Sequence, residues 1–463
     1  MVFSSLLFLF FFLPVTLLLY FFSPAKGRNV ILLVVSLLFY AWGEPVYVGL
    51  ILFSALADYV YGLLIAKYQP RKRRAAKLVL ILSLVTNLAV LSFFKYADFM
   101  IVNINSVFST EWATLELPLP IGISFYTFQT MSYIIDVYRG KVKAQRNFIS
   151  FAMYVTLFPQ LIAGPIVRYE WIEKEIANRH VSFAMFSDGV KLFIMGLGKK
   201  VLIANQIGFL WEEIQGMPSG ELSIATAWLG IIAFSFQIYF DFSGYSDMAM
   251  GLGKMFGFHF PQNFNYPYIS RSISEFWRRW HMTLGGWFRE YVYIPLGGNR
   301  KGKTRTYMNL LIVWMLTGFW HGASWNFVIW GLYFGVLILL EKVFLQKALL
   351  KLHPIFQHLY FLFFIVVGWV FFVFNDLSEG LQYFKVMFGM GGQAVANQTF
   401  LYLLSSNVIL LLMALVGSMP RSRWMKRISA LPCFQPLFYL IVFVFSTAYL
   451  VGATYNPFLY FRF

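Results

Sequence analysis

The chain has 463 residues, of which 59% are hydrophobic, 20% aromatic and only 12% charged, and its mean hydropathy is +0.66. Soluble domains carry about 25% charged residues, so this composition cannot cover a globular surface with polar groups, and lipid must be the solvent for most of it. The net charge is nevertheless +17; in a membrane protein such an excess sits in cytoplasmic loops and sets topology. The basic runs are short and lie between apolar segments, so no nucleic-acid partner is expected, and contact with membrane lipids is.

A single cysteine, Cys433, excludes an internal disulfide framework, a four-cysteine zinc site and an iron–sulfur cluster. Of the histidines (His180, His259, His281, His321, His353, His358), only His353 and His358 show metal-ligand spacing; they flank Pro354 in what reads as an ordinary loop, and no metal is expected. The apolar run Ser4 to Phe22 is followed by Ser-Pro-Ala-Lys rather than a small-residue cleavage site, so it reads as a first span and not a removable signal.

Apolar runs of about 17–25 residues mark candidate spans. They fall near 4–22, 29–43, 46–66, 77–97, 223–241, 306–320, 323–341, 358–375, 403–419 and 436–454, with weaker ones near 118–138, 148–166 and 189–206, where Pro, Gly or Lys interrupts. The expectation is about eleven spans plus re-entrant and interfacial helices. Lys26 and Arg28, the cluster Lys67 to Lys77, and Arg139, Lys141, Lys143 and Arg146 follow the first, third and fifth of these in chain order, while 101–117 holds Glu111 and Glu116. That alternation places the N-terminus outside and the basic loops in the cytoplasm. The chain reads as one membrane domain over 1–463: scaffold spans in 1–117, a polar core in 118–341, and C-terminal spans in 342–463. Pro118, Pro120, Gln129, Asp136, Gln160, Asn205, Asp241 and Asp247 all enter apolar sequence in that core, and polar groups at membrane depth belong inside a bundle or along a cavity.

Three constellations in the core carry candidate chemistry. From the basic loop 300–305, about fifteen helical residues lead to His321, a rise of about 22 Å, which buries an imidazole between Gly318 and Gly322. An intramembrane ionisable group points to function because its burial is costly; a core histidine satisfied by a carbonyl is the alternative. The segment 271–300 spaces Phe276, Trp277, Trp280, Leu284, Trp287, Phe288 and Tyr291 at three and four residues, with Arg278, Arg279 and Arg289 off that stripe and His281 on it. It reads as an amphipathic helix pair of the kind that lies in the interface. Its arginines, with Arg300 and Lys301, meet either lipid phosphate or a phosphorylated substrate. The third, Asp241, Ser243, Tyr245 and Asp247 at the end of a span, either orients a histidine or polar acceptor or merely caps a helix. The Gly-rich stretches 196–198 and 297–298 lack a GxxxxGK[ST] pattern, and no G-x-S-x-G occurs.

FWRRWHMTLGGWFREYVYIPLGGNRKG (276–302), LTGFWHGASWNFVIWGLYFG (316–335) and QIYFDFSGYSDMAMGLGKMFGF (237–258) closely resemble the membrane-bound O-acyltransferases, in particular their bacterial branch that acetylates alginate. PLPIGISFYTFQTMSYIIDVYRG (118–140), FPQLIAGPIVR (158–168), GWVFF (368–372) and NPFLYFRF (456–463) extend the resemblance over nearly the whole chain. The resemblance implies an all-α fold of tilted helices around a central tunnel. It implies acetyl-CoA as cytoplasmic acyl donor, with no permanently bound cofactor, and delivery to an extracytoplasmic hydroxyl of a surface polysaccharide through an SGNH-type acetyltransferase partner in the bacterial inner membrane. His321 matches the family's catalytic histidine in Trp-His-Gly, and His281 the histidine of Trp-Arg-Arg-Trp-His; many relatives have Ser in place of Gly285. On this reading His321 and His281 are catalytic. Arg278, Arg279, Trp280, Arg289, Arg300 and Lys301 bind the CoA end, and Asp241, Ser243, Tyr245, Asp247, Trp320 and Asn326 line the tunnel. D-alanyl transfer from a carrier protein to teichoic acid, the related branch, and a polysaccharide or lipid transporter are the alternatives; a transporter would more often show two related halves, and no internal repeat is visible.

Overall fold

In the computed structural model the described residues are 1–463 except 375, 421, 423–426, 428–430, 432, 453–458 and 460–463; the terminal motif 456–463 therefore lies outside them apart from Leu459, and the runs near 358–375 and 436–454 lose their last residues. The described residues form helices and no strands. Eight helices are long and apolar enough to cross a membrane. They are joined by Phe8–Phe22, apolar but shorter. The expected count of about eleven is not reached by this measure, because several of the runs expected to span are short, broken or too polar once folded.

The helices of the first unit (Met1–Phe193 with Ser246–Gln262) follow from its apolar runs. They are α1 (Phe8–Phe22), α2 (Arg28–Ala41), α3 (Val48–Tyr68), α4 (Arg73–Phe108), α5 (Ile123–Arg139), α6 (Phe148–Thr156) and α7 (Tyr169–Ala177). At 14 residues, α2 rises about 21 Å, short of a hydrocarbon core of about 30 Å. The weak run 118–138 becomes α5, buried on nearly every face, so Gln129, Thr130 and Asp136 sit among protein and not lipid. The run 148–166 breaks after Thr156, where Pro159 opens a separate turn, Phe158–Leu161.

Polar clamps tie these helices. Ser83 Oγ and Asn87 Nδ2 donate to the buried Asp58 carboxylate at 2.9 Å, and Thr130 Oγ1 donates to Asn87 Oδ1 at 3.3 Å. One carboxylate thereby joins α3 to α4, and through Asn87 to α5, by bonds that have no water competing for them. Tyr20 Oη donates to the Phe256 carbonyl at 2.7 Å.

The second unit (Ile194–Tyr245 with Asn263–Phe463) takes over partway along α8 (Phe183–Gln215) and holds most of α9 (Ile224–Met255). A π-helical stretch, Lys199–Ala204, interrupts α8. There Lys200 Nζ pairs with Asp241 of α9 at 2.6 Å, both side chains at most 3% exposed. Asp241 is not at a span terminus, as the sequence suggested, but inside a helix that continues to Met255.

Two short helices follow, α10 (Ile273–Arg279) and α11 (Met282–Phe288). Ser272 Oγ caps α10 by accepting from Glu275 N at 3.1 Å, and the buried Glu341 carboxylate accepts from Ile273 N and Ser274 N at 2.7 and 2.9 Å. A carboxylate at a helix N-terminus meets both unpaired N–H groups and the positive end of the dipole. The stripe expected to face the interface instead packs inward: Phe276, Trp280, Leu284, Trp287 and Phe288 are all buried.

Next come α12 (Gly302–His321) and α13 (Trp325–Leu349), a hairpin turning at residues 322–324. α12 is 20 residues long but, starting in basic sequence with Lys303 and Arg305, is not among the eight. α14 (Pro354–Val373) packs on α13. His353 is thus the N-cap of a helix and His358 lies within it, not in a loop. The unit ends with α15 (Leu377–Met387), α16 (Gln398–Gly417) and α17 (Phe434–Gly452).

Candidate active site

The hairpin α12–α13 places His321. Its two helices cross where Gly318 faces Gly331: a Cβ on Gly318 would stand 2.1 Å from the Phe327 carbonyl oxygen, and one on Gly331 would stand 2.4 Å from that of Trp314. Only glycine permits that approach. Past the crossing, His321 is the last residue of α12 and is 3% exposed. Its ring lies between aromatic rings, with centroids 4.9 Å from Trp320, 5.0 Å from Trp330 and 5.4 Å from Phe372, all near-perpendicular.

His281 is placed by a backbone break. It separates α10 from α11 with φ +44°, ψ +53°, a left-handed conformation uncommon outside glycine. Asn263 holds it there. Asn263 Oδ1 accepts from Thr283 N at 3.3 Å, Thr283 Oγ1 at 2.9 Å and His281 Nδ1 at 3.1 Å, while the Asn263 carbonyl accepts from Met282 N at 2.9 Å. Because a backbone N–H donates to the same side-chain atom, that atom is the amide oxygen, so His281 carries its proton on Nδ1 and its lone pair on Nε2. Full burial pushes the His281 pKa down to about 3, which keeps the ring neutral. Phe242 stands edge-on to it at 4.7 Å, and Trp320 lies 6.2 Å away.

Both imidazoles line one cavity of about 210 Å³. Trp277, Trp280, Leu284, Phe288, Leu310, Val313 and Trp314 give it an apolar wall, and Thr317, Tyr293 and Arg289 add polar groups. Gly285 and Arg289 are exposed, so the cavity reaches solvent-accessible surface there. A Cβ at Gly285 would meet only the Trp277 carbonyl, at 3.9 Å, so an alanine fits there without displacement.

Of the residues expected at the CoA end, Trp280 and Arg289 line this cavity. Arg278, Arg300 and Lys301 are exposed and are not in its wall. Arg279 is engaged with Glu275 at 2.9 Å and with the Asn265 carbonyl at 3.1 Å. Of the expected tunnel residues, Trp320 packs between the two histidines, and Asn326 Nδ2 donates to the Phe374 carbonyl at 2.6 Å. Asp241 serves Lys200 and also accepts from Leu459 N at 3.0 Å. Ser243 and Tyr245 are buried in α9, and Asp247 belongs to the first unit. None of these six is in the wall of the histidine cavity. Asn263, Trp330, Phe372 and Glu341 shape the site without having been singled out in the sequence, where an isolated Asn or aromatic residue in so aromatic a chain carries no signal.

Comparison with known proteins gives the chain's family. The chain is 38% identical over 492 aligned positions to the probable alginate O-acetylase AlgI of Pseudomonas putida, covering 100% of both chains. It is 37% identical over 433 to the peptidoglycan O-acetyltransferase of Helicobacter pylori, covering 86% of this chain and 81% of that one. A teichoic acid D-alanyltransferase of Streptococcus thermophilus is 32% identical over 242, covering 49% of this chain and 58% of its own. The family model "MBOAT, membrane-bound O-acyltransferase family" matches residues 141–378, a stretch that contains Asn263, His281 and His321. With two imidazoles on the wall of one cavity, relatives named for acyl transfer and a family match across just over half its length, this multi-pass membrane chain is an acyltransferase and belongs to the membrane-bound O-acyltransferase family.

Proposed function

We propose that the protein is a membrane O-acetyltransferase. It takes the acetyl group of cytoplasmic acetyl-CoA and passes it toward hydroxyls of an extracytoplasmic surface polysaccharide, by way of an SGNH-type acetyltransferase partner, in the inner membrane of a bacterium. The observation that carries this reading is the pair His281 and His321 on the wall of one cavity. The N-terminus lies outside on this reading, which leaves the basic loops cytoplasmic.

Acyl transfer from sulfur to oxygen breaks a C–S bond, forms a C–O bond and moves one proton from the attacking hydroxyl to the departing thiolate. A buried, neutral imidazole suits that proton transfer. His321 is the general base, accepting the hydroxyl proton and returning it to sulfur. His281, its Nδ1–H tied to Asn263, presents Nε2 as a fixed acceptor. The apolar wall excludes water that would otherwise hydrolyse the thioester. A space of about 210 Å³ takes a short acyl group with its thioester neck and is small for a long fatty chain. Exposed Arg289 at the cavity, with Arg278, Arg300 and Lys301 on the surrounding surface, attracts the CoA phosphates.

The test is acyl transfer by protein reconstituted in vesicles, offered either acetyl-CoA or a D-alanyl-charged carrier protein. Transfer from acetyl-CoA is expected, falling about 10²- to 10⁴-fold in His321→Ala. A wild-type rate from a correctly inserted His321→Ala would sink the mechanism. Preference for the charged carrier would replace the acetyl reading with D-alanyl transfer, the activity named for the 32%-identical relative. Ester-linked acetate lost from the surface glycans of a deletion strain identifies the acceptor.

A further inference from the structure

A second cavity, of about 440 Å³, lies wholly within the first unit and shares no residue with the histidine cavity. Its wall comes from the start of α2, the start of α6 and the segment after α7, and it gathers three cations, Lys26, Arg28 and Arg179, with Asn29, Ser150 and Asn178. No Asp or Glu lines it. Glu175, the carboxylate whose field reaches Arg179, is engaged elsewhere: it accepts from His259 Nδ1 at 2.6 Å and from His259 N at 3.0 Å.

The two guanidinium groups are held in place and left partly unsatisfied. Arg179 donates from Nε to Tyr20 Oη at 2.9 Å and from Nη1 to Asn29 Oδ1 at 2.6 Å, and it stacks over Phe258 at 4.7 Å. Its Nη2 is buried with no hydrogen-bond partner among the described residues. Arg28 lies over the same Tyr20 ring at 5.1 Å, and its Nε is likewise buried without a partner. Burial disfavours the charge on Arg179, and the nearby charge of Arg28 adds to that cost. The N-cap of α2 is Gly27, which has no side chain to cap the first-turn N–H groups, and Arg28, Asn29 and Val30 of that turn also line the cavity. Fixed like charges, buried N–H groups without acceptors and a positive helix end share one need: an anion with several acceptor oxygens.

We propose that this cavity binds a phosphate-bearing anion, a phosphomonoester or phosphodiester head, between Arg28 and Arg179 with Lys26 at the rim. A phosphate offers more acceptor oxygens than a carboxylate, which suits two forked guanidinium donors and an ammonium. The head group belongs either to a soluble phosphate compound or to an anionic phospholipid, and the experiment separates them.

Full-length protein, delipidated in a neutral detergent, is titrated with inorganic pyrophosphate while its melting temperature is followed, with chloride at matched ionic strength as control. In parallel it is placed in phosphatidylcholine nanodiscs with or without phosphatidylglycerol, and retained lipid is counted by native mass spectrometry. Saturable stabilisation by pyrophosphate assigns a soluble anion, selective retention of phosphatidylglycerol assigns a lipid, and both together assign a site open to either. In each case Arg28→Gln, which removes no hydrogen bond to the protein, weakens binding by about tenfold or more. The proposal is overturned if neither probe binds the wild-type protein beyond the chloride control. It is equally overturned if Arg28→Gln, melting as wild type without ligand, binds as tightly. Should Arg28→Gln not fold, Lys26→Gln at the exposed rim takes its place, with weakened binding expected and unchanged binding decisive against the site.

Discussion

Replacing Gly318 with alanine adds one methyl group where α12 and α13 have no room for it. The new Cβ would stand 2.1 Å from the Phe327 carbonyl oxygen and 3.1 Å from the Gly331 Cα and N. Relief requires the helices to part by about 1.3 Å, since ordinary contact begins at 3.4 Å. Backbone sits on both sides of the contact, so no rotamer change absorbs the strain, and overpacking of this kind costs about 1–3 kcal/mol. His321 is three residues further along the same helix, and its ring is fixed by Trp330, on the other arm of the hairpin. Parting the arms therefore moves the imidazole relative to the cavity wall, and a misplacement of about 1 Å costs on the order of 10²-fold in rate. The assay pairs acyl transfer by reconstituted protein with thermal melting in detergent. Gly285→Ala is the control, because its Cβ meets nothing closer than 3.9 Å and should leave melting unchanged. If Gly318→Ala kept both the wild-type melting temperature and the wild-type rate, the reasoning that the crossing sets the histidine would fail.

Three further outcomes follow from the same geometry. His281 has a folded-state pKa of about 3 against about 6.5 unfolded, so between those values the unfolded chain binds the extra proton; stability falls as pH drops below about 6.5, by about 1.4 kcal/mol per unit. His281→Gln, which cannot titrate, should flatten that part of the slope in unfolding measurements from pH 7 to 5, and identical slopes would contradict the burial argument. Asn263→Ala removes the acceptor of three hydrogen bonds at the left-handed break, with an expected loss of about 1–3 kcal/mol and of activity, whereas Asn263→Asp, which keeps the acceptor oxygen, should retain more of both. Asp241→Asn removes the carboxylate that pairs with buried Lys200 at 2.6 Å and should cost about 3–5 kcal/mol, while Lys200→Met with Asp241→Leu should melt closer to wild type; a double variant no better than the single would argue against a stabilising role for the pair.

Seven of the strong runs were legible because lipid imposes length and apolarity together, giving α3, α4, α9, α13, α14, α16 and α17, while those near 4–22, 29–43 and 306–320 fold into helices that are not among the eight. Of the weaker runs, 189–206 lies within the span α8, whereas 118–138 does not reach a span's measure, for a reason visible in α5. A helix enclosed by protein on every side needs neither a uniform apolar face nor hydrocarbon length, so Gln129, Thr130 and Asp136 depress the very signal that marks a span. The stripe from Phe276 to Tyr291 shows the converse limit. Its spacing identified an apolar face correctly, yet spacing cannot say whether that face meets lipid or protein. Here Glu341, far along the chain, fixes the start of α10 and turns Phe276 and Trp280 into the unit's interior.

The two histidines were legible to different depths, and the difference is physical. His321 ends a helix that rises from a basic loop, so simple counting of rise per residue placed it in a buried position, and flanking glycines marked the close crossing. His281 was assigned to the apolar side of an amphipathic helix pair, and its actual position is the break between the two helices. What holds it is one amide oxygen eighteen positions earlier, serving a ring nitrogen, a backbone N–H and a hydroxyl at once. Periodicity records what recurs along the chain, and a single long-range acceptor recurs nowhere. Yet that acceptor decides the chemistry of the ring: it fixes the tautomer, and with burial it keeps His281 neutral with its basic nitrogen at Nε2. On the proposed mechanism this divides the labour between the two rings: the Asn263-anchored ring of His281 is the fixed acceptor, and the helix-terminal ring of His321 exchanges the proton.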